Sequence, residues 1–187
     1  MFVRRAAVIL IGIAALSCSE PPTKERSQAD GAIAAALAAD AATYAPDELQ
    51  TAQAALAKYD DAVASRDYRL ALNLAIEARD GAYEAAKRAS NEKAAARSQA
   101  ERLVVDLDAL SRTANARLVG AAPPRPTAAA AERIRVAVRP AAMALQEART
   151  QIDAGEYRAV IVQLSPIVEG LRRELGVPPA TPSRRGR

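Results

Sequence analysis

Histidine and tryptophan are absent from the 187-residue chain, phenylalanine and cysteine occur once each, and aromatics make up 3%. Each absence excludes something. Without histidine there is no Ser-His-Asp triad, no His-assisted cysteine and no ordinary zinc site. With so few aromatics and β-branched residues, a sandwich or barrel is not expected. The same shortage removes the stacking platforms that single-stranded nucleic acid needs. Adjacent carboxylates such as Asp60-Asp61, or Asp106 with Asp108, do not share a helix face, so they form no acid/base dyad. There is no glycine-rich phosphate loop and no metal-ligand spacing. The chain therefore reads as non-enzymatic, with no cofactor, no metal and no nucleic-acid partner.

What the sequence has instead is alanine, 48 of 187 residues. Alanine is the best helix former, and Arg, Leu, Glu and Gln follow it. The net charge of +4 is unevenly spread. Residues 20–119 carry 13 basic and 16 acidic side chains, a net of −3, while residues 120–187 carry 11 and 6, a net of +5. The charges are interspersed as on solvated helix faces, apart from Arg184-Arg185-Gly186-Arg187 at the end.

The N-terminus carries the most specific signal. Met1 to Arg5 is short and basic, and Ala6 to Leu16 is an uncharged run of 11 residues. As a helix this run spans ~16 Å at ~1.5 Å per residue, well short of a ~30 Å bilayer core. It has the form of a signal-peptide core over residues 1–17. Ala15-Leu16-Ser17-Cys18 follows, and it resembles the bacterial lipoprotein processing box. That resemblance implies cleavage before Cys18, diacylation of its thiol and acylation of its new amine. The family prefers leucine three residues before the cysteine, and here that residue is Ala15. Ala15-x-Ser17 also suits ordinary signal peptidase, which would release a soluble chain, and a retained signal anchor is the third alternative. The solitary cysteine favours lipidation, because it has no internal disulfide partner and a free thiol is a liability in an oxidising compartment. Ser19 follows the cysteine, which by resemblance to enterobacterial sorting implies the outer membrane over the inner. Residues 18–28 are polar and proline-bearing, and read as a flexible tether.

Beyond the tether the apolar residues follow helical spacing. A first helix is expected over about 29–44. Pro46 suits the first turn of a second, in which Leu49, Ala52, Leu56, Tyr59 and Val63 form a narrow seam. Ser65-Arg66-Asp67 reads as a turn, with Asp67 capping a third helix that starts at Tyr68. No proline interrupts Tyr68 to Val119, so this central helix is expected to be about 75 Å long. Leu70, Leu74, Ala78 and Ala82, widened by Leu72, Ile76 and Tyr83, form its first stripe. Leu103, Leu107, Leu110, Ala114 and Leu118 form its second. Residues 84–101 between them hold no large apolar side chain, so this segment is either an exposed rod or covered along an alanine-only face; a bend would fall at Ser90-Asn91.

Residues 120–127 are a proline-rich linker. A second helical hairpin is expected over 128–176, with Ile134, Leu145, Ile152, Leu164 and Leu171 in its core and with Pro140 and Pro166 kinking or restarting its helices. Residues 177–187 form a basic tail without periodicity. The domain reading is thus 29–119, an alanine-rich region with the first hairpin, and 128–176, the second. A shift of 89 residues overlays the two hairpins: Leu56 on Leu145, Val63 on Ile152, Asp67 on Glu156 and Tyr68 on Tyr157. Each tyrosine is expected to pack its ring into the hairpin corner. The fold class is all-α: an elongated antiparallel bundle of about five helices with one long central helix and two similar hairpins.

The stretch Tyr44 to Ala89, with Ala45-Pro46-Asp47-Glu48-Leu49, Ala54-Ala55-Leu56 and Asp67-Tyr68 followed by Ala71, Ala75, Ala78 and Ala82, resembles a bacterial alanine-rich envelope lipoprotein family, domain of unknown function 4398. The resemblance covers about Gly31 to Val105. It implies a lipid-anchored protein on the periplasmic face of the envelope that works through helical surfaces, contacting other envelope proteins or itself. A helical binding module, holding a peptide or apolar ligand between the two hairpins, is the alternative.

Overall fold

The computed structural model describes residues 20–178, so the expected signal peptide over residues 1–17, Cys18, Ser19 and the residues after Pro178 lie outside the described residues. Among the described residues there are seven helical segments and no strand. They are α1 (Thr23–Ala38), α2 (Ala41–Tyr44), α3 (Pro46–Ala64), α4 (Tyr68–Leu118), α5 (Ala128–Val138), α6 (Ala141–Asp153) and α7 (Tyr157–Leu175). The protein is an all-α helical bundle with one long helix, α4, unbroken over 51 residues.

Two boundaries differ from the sequence reading. Helix α1 begins at Thr23, inside the expected tether of residues 18–28, and stops at Ala38 because Asp40 turns left-handed, with φ 62°. Thr23-Lys24-Glu25-Arg26 is polar yet helix-competent, and tertiary contacts recruit it: Arg26 ion-pairs with Asp60 and lies over the Tyr59 ring at 5.3 Å. The chain also divides at a different point. Its two compact units meet in sequence at Ser90 and Asn91, inside α4, not in the 120–127 linker. Helical hydrogen bonding continues through this point because good helix formers flank Ser90-Asn91 on both sides and no proline interrupts them.

The N-terminal unit is built from α1, α2, α3 and the first part of α4. Its buried stripe on α3 is Leu49, Ala52, Ala55, Tyr59 and Ala62. The expected seam is rotated, so Leu56 and Val63 are half-buried at its margin and Ala55 and Ala62 take the centre. On α4 the same shift occurs. Ala71, Leu74, Ala75, Ala78, Ala82, Ala85 and Ala89 are buried, while Leu70 and Tyr83 are exposed. Small side chains sit at the centre because they let helix backbones approach. A Cβ built on Gly81 of α4 would lie only 3.5 Å from the Cβ of Ala52 on α3. Ala29, Ala55 and Ala78 form one such layer across three helices. Residues 84–101 thus bury an alanine-only face, made of Ala85, Ala89, Ala96 and Ala100.

The C-terminal unit packs the second part of α4 with α5, α6 and α7 around larger side chains. Leu107, Ile134, Val160, Leu164, Val168 and Leu171 are its largest fully buried residues. Leu110 and Leu145 are buried beside them, and Leu103 and Ile152 pack half-buried on the same cluster. Pro140 ends α5 and starts α6, as its missing N–H requires. Pro166 is carried inside α7 on an exposed position, next to Ser165, whose hydroxyl donates to the Ile161 carbonyl at 2.6 Å.

This packing makes opposite predictions for two small changes. Ala78→Leu forces a large side chain into the closest layer and should destabilise the N-terminal unit by about 1–3 kcal/mol. Gly81→Ala adds a methyl at ordinary contact distance and improves helix propensity, so it should stabilise the same unit by about 0.5–1 kcal/mol. Urea denaturation followed by circular dichroism measures both. Equal midpoints for the two variants would refute the alanine-layer account.

Candidate functional site

The two helix-to-helix turns expected as copies share their backbone. In the first, Asp67 N–H donates to the Ala62 carbonyl at 2.9 Å and Arg66 N–H to the Val63 carbonyl at 3.0 Å. In the second, Glu156 N–H donates to the Gln151 carbonyl at 2.8 Å and Gly155 N–H to the Ile152 carbonyl at 3.0 Å. Arg66 and Gly155 hold the left-handed position, with φ 58° and 79°. This is the Schellman stop, in which a left-handed residue lets two N–H groups satisfy the last carbonyls of a helix. The bonds to Ala116 and Arg117 around Gly120, and to Arg172 and Arg173 around Gly176, repeat it, so the shared turn reflects a general helix ending as much as a copied hairpin.

The caps that follow differ. Asp67 accepts the Leu70 N–H at 3.0 Å, a side-chain N-cap. Glu156 caps α7 with no side-chain bond, so it is not the chemical equivalent of Asp67. Both tyrosines are half-buried, and Tyr157 packs on the C-terminal core. Of the expected core residues, Leu103, Leu107, Leu110, Leu145, Ile152, Leu164 and Leu171 come together in one cluster. Leu49 is buried in the N-terminal unit, where Leu56 and Val63 pack against the Tyr59 cluster. Cys18 lies outside the described residues.

Sequence spacing did not reveal the polar clasps. In the N-terminal unit Arg26 holds Asp60 and Tyr59, Arg88 pairs with Glu48, and Arg79 donates to Gln28 Oε1 at 3.4 Å. In the C-terminal unit Arg172 pairs with Asp106 at 2.6 Å, Arg117 donates to the Leu175 carbonyl at 2.8 Å, and Arg133 meets Glu174 at 2.9 Å. Each joins residues at least 33 positions apart, beyond any helical period. The exposed pairs among them add little stability, while Arg172–Asp106 and Arg117–Leu175 are part-buried.

Concavities are shallow. A groove of about 320 Å³ lies between α5 and α7, floored by Val136, Ala137 and Gly170 and rimmed by Glu132, Arg133, Arg173 and Glu174. A second, of about 250 Å³, lies between α3 and α4 at Asp47, Glu48, Thr51, Gly81 and Glu84. Both mix acidic and hydroxyl or basic groups without a convergent set that would orient one small molecule. Among the described residues no cluster of acidic or sulfur ligands could hold a metal ion, and no helix is long and apolar enough to cross a membrane. No family model, no curated protein and no solved structure matches the chain.

One titration follows from the Arg26 clasp. Burial pushes the Tyr59 phenol above its ordinary 10.0, against the opposing pull of the Arg26 charge. In the unfolded chain the tyrosine ionises at its ordinary value, while in the folded chain it stays neutral to higher pH. Its contribution is therefore full below pH 10 and is lost as pH rises through the folded value. Melting of the N-terminal unit should fall as pH rises from about 9 to about 11, and Tyr59→Phe should flatten that fall. An identical pH dependence in the variant would contradict the assignment.

Proposed function

We propose that the protein is a bacterial envelope lipoprotein, anchored on the periplasmic face through acyl chains on Cys18, which acts as a non-enzymatic structural or interaction module. The observation that carries this reading is the basic Met1–Arg5 segment and 11-residue apolar run ending at the only cysteine. Two or three acyl chains give stable anchoring, whereas one is marginal. The resemblance to the alanine-rich envelope lipoprotein family supports the same reading. So does the chain's lack of histidine, which removes the commonest general base.

The helical surfaces are then the working part. Their charges alternate in sign, with i,i+4 pairs such as Arg97 to Glu101 at 2.8 Å. Such a face suits contact with another envelope protein or a second copy of the chain. Ser19 after the cysteine favours the outer membrane.

Cys18→Ser should abolish palmitate incorporation and release the protein from the membrane fraction. Labelling with radioactive palmitate and fractionation of whole envelopes test both. A Cys18→Ser variant that fractionates with membranes like the wild type would refute the anchor.

A further inference from the structure

The corrected start of α1 shortens the tether. If Cys18 is the anchor, as the reading above holds, only Ser19, Glu20, Pro21 and Pro22 separate it from Thr23. The five steps from Cys18 to Thr23 reach at most ~18 Å when fully extended. The folded N-terminal unit is then held near the bilayer surface by the end at which α1 begins.

The register within that unit says which end. Ala29, Ala55 and Ala78 occupy one layer. The contacts of Arg26 with Asp60 and of Arg88 with Glu48 give the directions: α3 runs antiparallel to both α1 and α4. From this layer toward the N-terminus of α1, Thr23 is six residues away, or ~9 Å. In the same direction the α3–α4 turn, from Ser65 to Tyr68, is ten residues away on each helix, or ~15 Å. The turn thus projects ~6 Å beyond the first residue of α1, on the same end as the tether. It lies within the reach of the four-residue tether.

The turn is built for such a place. Leu70 is 46% exposed in the first turn of α4, and half-buried Tyr68 precedes it. Arg66 and Arg69 flank them, both exposed. An exposed apolar side chain among long basic residues is the pattern of the membrane–water interface. Nearby charges nearly cancel: Lys24, Arg26, Arg66 and Arg69 stand against Glu20, Glu25, Asp60, Asp61 and Asp67. Attraction to anionic lipid is therefore not the driving force. The tether supplies the high local concentration that makes a small apolar contact sufficient.

We infer that the α3–α4 turn, through Leu70, seats in the headgroup region of the phospholipid bilayer that carries the anchor. The test uses the acylated full-length chain in phosphatidylethanolamine–phosphatidylglycerol vesicles. The Cys18 thiol is consumed by acylation, so Leu70→Cys offers a unique site for an environment-sensitive fluorophore. Leu37→Cys, equally exposed near the far end of α1, is the control. Headgroup spin-labelled lipid should quench the probe at position 70 and blue-shift its emission, while the probe at 37 keeps its aqueous spectrum. Vesicle flotation of the same samples separates the two claims. Flotation with equal, weak quenching at both positions overturns the docking and leaves the anchor intact. Loss of flotation overturns the anchor and the docking with it.

Discussion

Alanine facing alanine sets the helix spacing on which the N-terminal unit depends. The Ala29, Ala55 and Ala78 layer is filled by small side chains alone, and the Ala52–Gly81 approach has room for one added methyl. Little apolar area is buried per residue in such packing, but the helix backbones come close, and dispersion between them replaces the missing bulk. Large side chains are displaced to the margin, where Leu56 and Val63 lie half-buried, or outward, as with Leu70 and Tyr83. The Arg26, Arg79 and Arg88 clasps then select the register, which an alanine face alone specifies weakly.

The C-terminal unit reaches a similar helix hairpin by a different route. Under the 89-residue shift, buried Ala71, Ala75 and Ala82 are matched by Val160, Leu164 and Leu171, while Tyr59 is matched by Ala148. Bulk has moved from one helix to its neighbour, which keeps the facing positions filled. A single helix, α4, serves both arrangements: it presents alanines to one set of partners and Leu107 and Leu110 to the other. That is why the division of the chain falls inside a helix, at Ser90, and not at the proline-rich linker.

Much of this was legible from composition and punctuation. The all-α class, the long uninterrupted α4, the restart at Pro140, the Asp67 cap and the membership of the Leu107–Leu164–Leu171 core all follow from local rules: propensity, the missing N–H of proline, side-chain capping and the 3.6-residue period.

Three features belonged to the tertiary structure. Periodicity identifies an apolar stripe by its largest residues, so it centred the α3 seam on Leu56, whereas Ala55 is the buried residue and Leu56 lies half-buried at the margin. It reads a polar segment as a tether, yet Thr23 to Gln28 is helical because Arg26 finds Tyr59 and Asp60 on another helix. It also places a domain boundary where prolines cluster, whereas the boundary follows which helices share a core. Local sequence determined where helices form and stop, because hydrogen bonds and caps act within a few residues. Only the packed chain decided which face of each helix is buried, because that depends on the size and charge of residues many turns away.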